Sequence, residues 1–224
     1  MAPSKPTLVY FKAAGRVTGA RMALFNAYGK DGWDNVMLTF DEFGAEKKKH
    51  AAGEADCALK TPMGYLPQLE MPEGKVITQT PCIARWAAKQ GANPLYPSDP
   101  MDQLLTEEII DVAQEILARS PSDPDTEVKL QKRKEYSEGF MKQAMTYLES
   151  KFAANASTSF FIRGSTYGLA DCYVLMVTSM VASGEFDGIP PEYLDNFPLV
   201  KAHREKCLAE VELVKNYVAE GYMM

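Results

Sequence analysis

The sequence contains only two histidines and four cysteines, and none of the cysteines forms a Cys-x-x-Cys pair. Without such a pair, neither a zinc site nor a dithiol redox centre is expected, and the thiols are predicted to be reduced and mostly buried. His203 and Cys207 lie four residues apart, but two ligands alone make a poor metal site. A serine or cysteine hydrolase is also disfavoured, since neither His50 nor His203 accompanies a recognisable nucleophile motif.

Long apolar runs and an excess of basic charge are missing as well. No stretch is long enough to cross a bilayer, and the first residues lack the apolar core of a signal peptide. The formal net charge of -6 disfavours binding to nucleic acid or to an anionic membrane. Basic clusters at 47–50 and 129–134 have acidic neighbours and are predicted to be solvated helix faces. We therefore expect a cytoplasmic protein whose partners are small molecules or proteins.

The first part of the chain alternates between strand and helix patterns. Residues 7–11 are β-prone, and apolar side chains then recur at helical spacing over 15–29. Residues 36–40 alternate between the two faces of a second strand, and the Lys- and Ala-rich stretch 44–60 predicts a helix. The first part of the chain therefore begins as β-α-β-α.

A hairpin and a third helix complete this part of the chain. Two short strands are predicted at 66–71 and 75–77, joined by a turn that contains Gly74. Thr80 is predicted to cap the following helix, with Pro81 at the first helical position, where proline is best tolerated. The pattern is then β-α-β-α-β-β-α over residues 1–92.

The rest of the chain shows helical patterns only. A linker rich in Pro, Asn, Ser and Asp is predicted at 93–100, followed by an all-helical domain over 101–224. Residues 169–181 are apolar all round, as in a central buried helix. Gly168 and Asp171 have the spacing of a reciprocally capped helix start, so we interpret Asp171 as structural rather than catalytic.

The order of elements, the Leu66-Pro67 pair and the polar pair Gln79-Thr80 resemble the cytosolic glutathione transferases along the whole chain. The stretches at 8–16 and 79–85 are most similar to the sigma class, which includes glutathione-dependent prostaglandin D synthases. The resemblance implies a thioredoxin-like α/β domain followed by an all-α domain. It also implies a cytoplasmic homodimer that conjugates glutathione to hydrophobic electrophiles in detoxification, without a metal.

The resemblance also implies roles for individual residues. Tyr10 would donate a hydrogen bond to the glutathione thiolate, and Arg16 would add positive potential near the sulfur. Phe43 falls where the sigma class commonly has a tryptophan that reaches the glycyl carboxylate, so that contact should be absent. Lys47 matches a lysine at the same end, although the segment before Pro67 is longer than the family pattern. The residues implicated in glutathione binding are Tyr10, Phe43, Lys47, Tyr65, Leu66, Pro67, Gln79, Thr80 and Glu107.

Further expectations concern a cis peptide bond, the dimer and the second substrate. The Leu66-Pro67 bond is expected to be cis, which only proline makes accessible at low cost. Glu107 would reach across a dimer to the γ-glutamyl amine of the partner's ligand. The wall for a hydrophobic electrophile would include Phe11, Ala14 and Ile110.

Two alternatives to a conjugating transferase stay open from the sequence. One is a glutathione-dependent isomerase of the prostaglandin D synthase kind, which would use the same thiolate. The other is a non-catalytic binding or structural protein that has kept the fold. A thiol-transferase activity is not expected, because the start of the first helix carries Ala13 and Ala14 rather than a nucleophilic cysteine.

Overall fold

The computed structural model of the chain describes residues 3–155 and 166–222. These residues form two compact units, one ending at Pro94 and the other beginning at Leu95. The first unit contains β1 (Thr7–Phe11), α1 (Thr18–Tyr28), β2 (Asp34–Leu38), α2 (Phe40–Ala52), β3 (Gln68–Glu70), β4 (Val76–Thr78) and α3 (Thr80–Ala88). The second contains α4 (Pro100–Ala118), α5 (Thr126–Glu138), α6 (Phe140–Asn155), α7 (Leu169–Ala182), a 3₁₀ turn (Pro191–Asn196), α8 (Pro198–Glu210) and α9 (Glu212–Ala219).

The first unit is built on a mixed sheet with the strand order β2-β1-β3-β4. β1 runs parallel to β2, which places Tyr10 opposite Met37, and it runs antiparallel to β3. α1 and α3 pack against each other through small, fully buried side chains, so their backbones approach closely. These small residues include Ala20, Ala23, Ala84 and Ala87. This is the predicted thioredoxin-like arrangement.

The limits of α2 differ from the sequence prediction at both ends. The second strand stops at Leu38 rather than Phe40, because Thr39 and Glu42 cap the helix reciprocally. Glu42 N–H donates to Thr39 Oγ1 at 3.2 Å, and Thr39 N–H donates to Glu42 Oε2 at 2.7 Å. The helix ends at Ala52 rather than at residue 60, since Gly53 adopts a left-handed conformation with φ 70°.

The N-terminal limit of α4 also departs from the sequence prediction. Pro100 was expected in the linker but is the first residue of the helix. Asp99 is the reason, because its Oδ1 accepts hydrogen bonds from the N–H groups of Met101 at 2.9 Å and Asp102 at 3.0 Å.

The core of the second unit surrounds α7, which is buried on nearly every face, as predicted, and packs against α4 and α8. Asp171 fixes its first turn, accepting a hydrogen bond from Gly168 N–H at 2.9 Å through Oδ2. Its Oδ1 lies 3.1 Å from His203 Nε2, and both side chains are fully buried. The capping role predicted for Asp171 is therefore present, and His203 on α8 is an additional partner.

The described residues contain neither a membrane-spanning helix nor a metal-binding cluster. Cys207 Sγ lies 3.5 Å from His203 Nε2, so the spacing on α8 does bring the two side chains together. Among residues 3–155 and 166–222, however, no group of three His, Cys, Asp or Glu side chains is arranged to hold a metal ion. None of the helices described is long and apolar enough to cross a bilayer.

Candidate active site

Tyr10 lies near the carboxyl end of β1, with its ring partly buried. The ring meets that of Phe11 edge-on at a centroid distance of 5.2 Å. Burial raises the pKa of the Tyr10 phenol above its ordinary value, while the positive charges of Arg16 and Arg21 act in the opposite direction. The hydroxyl therefore stays protonated at neutral pH and can donate a hydrogen bond to an anion.

Arg21 is a component of this region that the sequence analysis missed. It is 1% exposed, and its guanidinium carbon lies 5.7 Å from the centre of the Tyr10 ring. Nη1 donates to the carbonyl of Ala13 at 2.5 Å and Nη2 to that of Phe11 at 3.0 Å. Nε donates to Asn35 Oδ1 on β2 at 3.2 Å. Arg21 thus holds the loop that follows Tyr10 and places a buried positive charge beside it.

We expect replacement of Arg21 by methionine to raise the pKa of Tyr10 further, because one of the two opposing positive charges is removed. The pKa is measured by ultraviolet pH titration, as the difference between each protein and the same protein carrying Tyr10→Phe. Arg21→Lys keeps the charge and should leave the Tyr10 pKa nearer to that of the unmodified chain. Lys48→Met, which removes an exposed charge on α2, is the control. An unchanged Tyr10 pKa in Arg21→Met would contradict the electrostatic role.

Arg16 lies in the turn before α1. The sequence had predicted that it belongs to the first turn of the helix. α1 begins at Thr18, and Gly15 provides the positive φ of 87° that the turn requires. The Arg16 side chain is exposed, yet its charge still acts on Tyr10. The short loop from Phe11 to Arg16 therefore supplies the aromatic hydroxyl with one of its two positive neighbours.

Three phenylalanines form a cluster beside Tyr10. The ring of Phe11 lies 5.0 Å from Phe40 and 5.0 Å from Phe43, centroid to centroid. Phe40 is 75% exposed, whereas Phe11 and Phe43 are partly buried. Phe43 thus serves as a packing partner of Phe11, and its ring has no polar hydrogen to donate.

Lys47 lies next to the turn that precedes β3. Its Nζ is 3.4 Å from the carbonyl oxygen of Gly64 and 4.8 Å from the centre of the Tyr65 ring. Tyr65 is 55% exposed, and the following Leu66-Pro67 peptide bond is cis, as predicted. The structure thus brings Lys47, Tyr65 and Leu66 together at one end of the candidate site.

The start of α3 differs in detail from the prediction. Gln79, and not Thr80, is the N-cap residue, and its side chain makes no capping hydrogen bond. Gln79 has φ 76°, the single positive φ of a non-glycine residue within the described part of the chain. Thr80 is the first helical residue and is buried. The first N–H groups of a helix lack intrahelical partners and carry partial positive charge, which suits a carboxylate.

Three other predicted site residues are less accessible or already engaged. Ala14 is buried in the first unit. Ile110, on α4, is 0% exposed. Glu107 accepts a hydrogen bond from the hydroxyl of Tyr96 at 2.5 Å, inside the same unit.

Comparison with protein families gives one match. The model for the glutathione S-transferase C-terminal domain matches residues 110–221, from within α4 to beyond α9. No curated protein sequence gives a significant match to the chain.

Solved structures resemble the chain over nearly its full length. The Fasciola hepatica sigma class GST is 19% identical, with 98% of each chain covered and a TM-score of 0.75. A Nu-class GST from Haemonchus contortus is 22% identical, with 98% of each chain covered and a TM-score of 0.70. Prostaglandin synthase D of Nilaparvata lugens is 18% identical, covering 98% of this chain and 100% of that chain with a TM-score of 0.72. These likenesses establish the shared fold, and because the family model spans half of the sequence, the chain belongs to the glutathione S-transferase family.

Proposed function

We propose that the protein is a glutathione transferase that conjugates the glutathione thiolate to hydrophobic electrophiles. The observation that carries this proposal is the position of Tyr10, whose protonated hydroxyl lies at the end of β1 with two positive charges near it. Family membership supports glutathione transferase activity in general.

The proposed chemistry depends on ionising the thiol. A free thiol has a pKa of about 8.5, so only a few per cent is thiolate at neutral pH. A hydrogen bond to a charged acceptor contributes about 1.5–3 kcal/mol, which corresponds to one or two pKa units. In the proposed reaction the thiol proton leaves to solvent, the Tyr10 hydroxyl donates to the sulfur anion, and the sulfur forms a bond to the electrophilic carbon. A leaving group then departs from that carbon, or, in an unsaturated electrophile, the neighbouring carbon takes up a proton from solvent.

The proposed position of glutathione follows the polar groups along the first unit. The γ-glutamyl carboxylate would lie at the start of α3, where Gln79 and Thr80 present a helix N-terminus. The cysteinyl part would pair with the backbone of Leu66 beside the cis bond to Pro67. The glycyl carboxylate would meet Lys47 next to Tyr65.

The proposed electrophile is apolar and contacts the Phe11 ring beside Tyr10. Phe11 is partly buried and belongs to an aromatic cluster, so it can accept an apolar group. Ala14 is small and would leave room on the same loop.

The proposal includes a cytoplasmic homodimer in which Glu107 contacts the ligand of the partner protomer. It involves no metal, nucleic acid or membrane. Exposed apolar side chains on α4, Met101 and Leu104, at 61% exposure each, are consistent with a covered helix face. Sedimentation equilibrium would give the mass of the assembly, and a monomer would contradict this part of the proposal.

The test of the proposed function combines binding and turnover. We expect the protein to be retained on immobilised glutathione, to be eluted by free glutathione, and to conjugate a panel of aromatic and unsaturated electrophiles. Conversion of a prostaglandin endoperoxide with no conjugation of any panel member would favour the isomerase. If the protein is neither retained on immobilised glutathione nor active toward any panel member, the result favours a non-catalytic protein and overturns the proposal.

A further inference from the structure

Residues 53–64, here called the strap, connect the end of α2 to the turn before the cis peptide bond. This segment contains no helix or strand, yet its side-chain and backbone contacts are numerous. The strap is held at three points, two on α2 and one on β3.

Glu46 makes the first attachment. Its Oε2 accepts a hydrogen bond from Ala58 N–H at 2.5 Å, and its backbone carbonyl accepts one from Cys57 Sγ at 3.3 Å. Lys49 Nζ lies 3.1 Å from Glu46 Oε1 and 3.2 Å from Asp56 Oδ2, so it bridges the helix and the strap. The hydrogen bond from Ala58, with that from Lys49, lowers the pKa of Glu46, which is therefore a carboxylate at neutral pH.

His50 makes the second attachment, at the far end of the strap. Its Nε2 lies 2.8 Å from the carbonyl oxygen of Thr61. Its ring also packs against Gly64, where an added Cβ would come within 2.9 Å of His50 Nδ1. Gly64 has φ 58°, so both its conformation and the space around it favour glycine.

Gln68 makes the third attachment, from β3. Its Nε2 donates to the carbonyl of Ala58 at 2.6 Å, and its Oε1 accepts a hydrogen bond from Lys60 N–H at 2.9 Å. Gln68 is fully buried and directly follows Pro67. Ala58 is thus bound through its N–H by α2 and through its carbonyl by β3, which fixes these two elements relative to each other.

Lys47 lies on α2 between Glu46 and His50, the two residues of this helix that hold the strap. Its ammonium group reaches the Gly64 carbonyl and the Tyr65 ring, at the point where the strap ends. A lysine side chain that is already ordered loses less conformational entropy when it binds a carboxylate. An α2 that is fixed to the strap would therefore present Lys47 in a constant position.

We propose that the strap is a positioning device for the recognition of the glycyl carboxylate, and that Glu46 is its principal positioning residue. It holds Lys47 beside the turn at Tyr65 and Leu66. This inference rests on the proposed function, because it assumes that glutathione is the ligand.

The test compares glutathione with γ-glutamylcysteine, which has no glycyl residue. Dissociation constants are measured by calorimetry for the unmodified protein, Lys47→Met, Glu46→Ala and Asp41→Ala. Asp41→Ala is the matched control, since Asp41 is an exposed acid on the same helix. We expect Lys47→Met and Glu46→Ala each to weaken glutathione binding about five- to tenfold. Binding of γ-glutamylcysteine should change less than about twofold in each of the three variants.

Amide hydrogen exchange over the strap provides a readout that does not depend on a ligand. Glu46→Ala should lose protection at Ala58 and its neighbours, whereas Asp41→Ala should not. Glu46→Gln keeps an acceptor for Ala58 N–H and should show intermediate exchange and intermediate affinity. These measurements also show whether a weakly binding variant is still folded outside the strap.

The outcomes separate the strap from the function on which it rests. Suppose that Lys47→Met weakens the binding of glutathione but not of γ-glutamylcysteine, while Glu46→Ala loses amide protection in the strap and keeps its affinity for glutathione. The strap proposal then fails, and the assignment of Lys47 to the glycyl carboxylate stands. If Lys47→Met weakens both ligands equally or neither, the assigned glycyl end fails and the strap proposal fails with it. If the unmodified protein binds neither ligand, the proposed function itself is overturned.

Discussion

Replacing Tyr10 by phenylalanine is expected to lower kcat/KM for conjugation about 10- to 100-fold at neutral pH. The variant loses one hydroxyl that donates to the thiolate, and such a bond to a charged acceptor contributes about 1.5–3 kcal/mol. The thiol of bound glutathione would then have a higher pKa, so a smaller fraction is ionised. The loss should shrink as the pH rises, because the thiol ionises without help once the pH exceeds its pKa.

Two measurements check the Tyr10 prediction. The pH dependence of kcat/KM gives the apparent pKa of the reacting thiol, and ultraviolet absorbance gives the thiolate fraction of bound glutathione directly. Tyr28→Phe is the matched control, since Tyr28 lies in the same unit and stacks on Trp86 at 6.2 Å. An unchanged thiol pKa and an unchanged kcat/KM in Tyr10→Phe would remove Tyr10 from the mechanism.

Replacing Asp171 by alanine is expected to reduce the free energy of unfolding by about 3 kcal/mol. The carboxylate is fully buried, and its partners include the N–H of Gly168 and the ring nitrogen of His203. Alanine removes the acceptor of the Gly168 N–H and the carboxylate beside His203, and loss of a buried hydrogen-bond partner costs about 1–3 kcal/mol. The effect acts on α7, around which the second unit is packed.

Urea unfolding followed by circular dichroism measures the loss in Asp171→Ala. Asp171→Asn keeps one acceptor oxygen and should be less destabilised. Thr39→Ala removes the cap of α2, which is exposed, and should cost about 1 kcal/mol. If Asp171→Ala costs no more than Thr39→Ala, the buried pair does not stabilise the helical unit as we expect.

The order of strands and helices was predictable because it depends on local patterns. Residue propensity identified β1, the turn residues around Gly74 identified the hairpin, and an apolar run identified the buried α7. The boundary at Thr39 was missed although Thr39 and Glu42 have the spacing of a capping box. Alternating apolar residues before it extended the predicted strand to Phe40, so one local pattern concealed another.

The start of α3 could not be placed from residue types alone. A threonine before a proline is a good capping pair, so Thr80 was the natural choice for the N-cap. In the structure the N-cap is Gln79 instead, with φ 76°, a backbone conformation that residues other than Gly, Asn and Asp rarely adopt. Strained backbone of this kind is set by its surroundings and leaves no sign in the sequence.

The candidate site was partly predictable for the same reason. Tyr10 and Lys47 were proposed for the site from the family resemblance, whereas Arg21 acquires its role from carbonyl groups at Phe11 and Ala13 and from Asn35. An arginine within the apolar sequence of α1 was a signal, because no acidic residue of that helix can pair with it. The strap gave no such signal, since its attachments join residues seven or more positions apart, mostly through backbone groups.

The distribution of thiols has a practical consequence. Cys82, in the first turn of α3, is exposed, while Cys57, Cys172 and Cys207 are buried. A maleimide dye added to the folded protein should therefore label a single known position, next to the residues proposed to receive the γ-glutamyl group. The same reagent would reach all four sulfurs only after unfolding. One dye per chain therefore marks a folded molecule that carries a fluorescent reporter beside the proposed ligand site, whereas four dyes per chain mark an unfolded molecule.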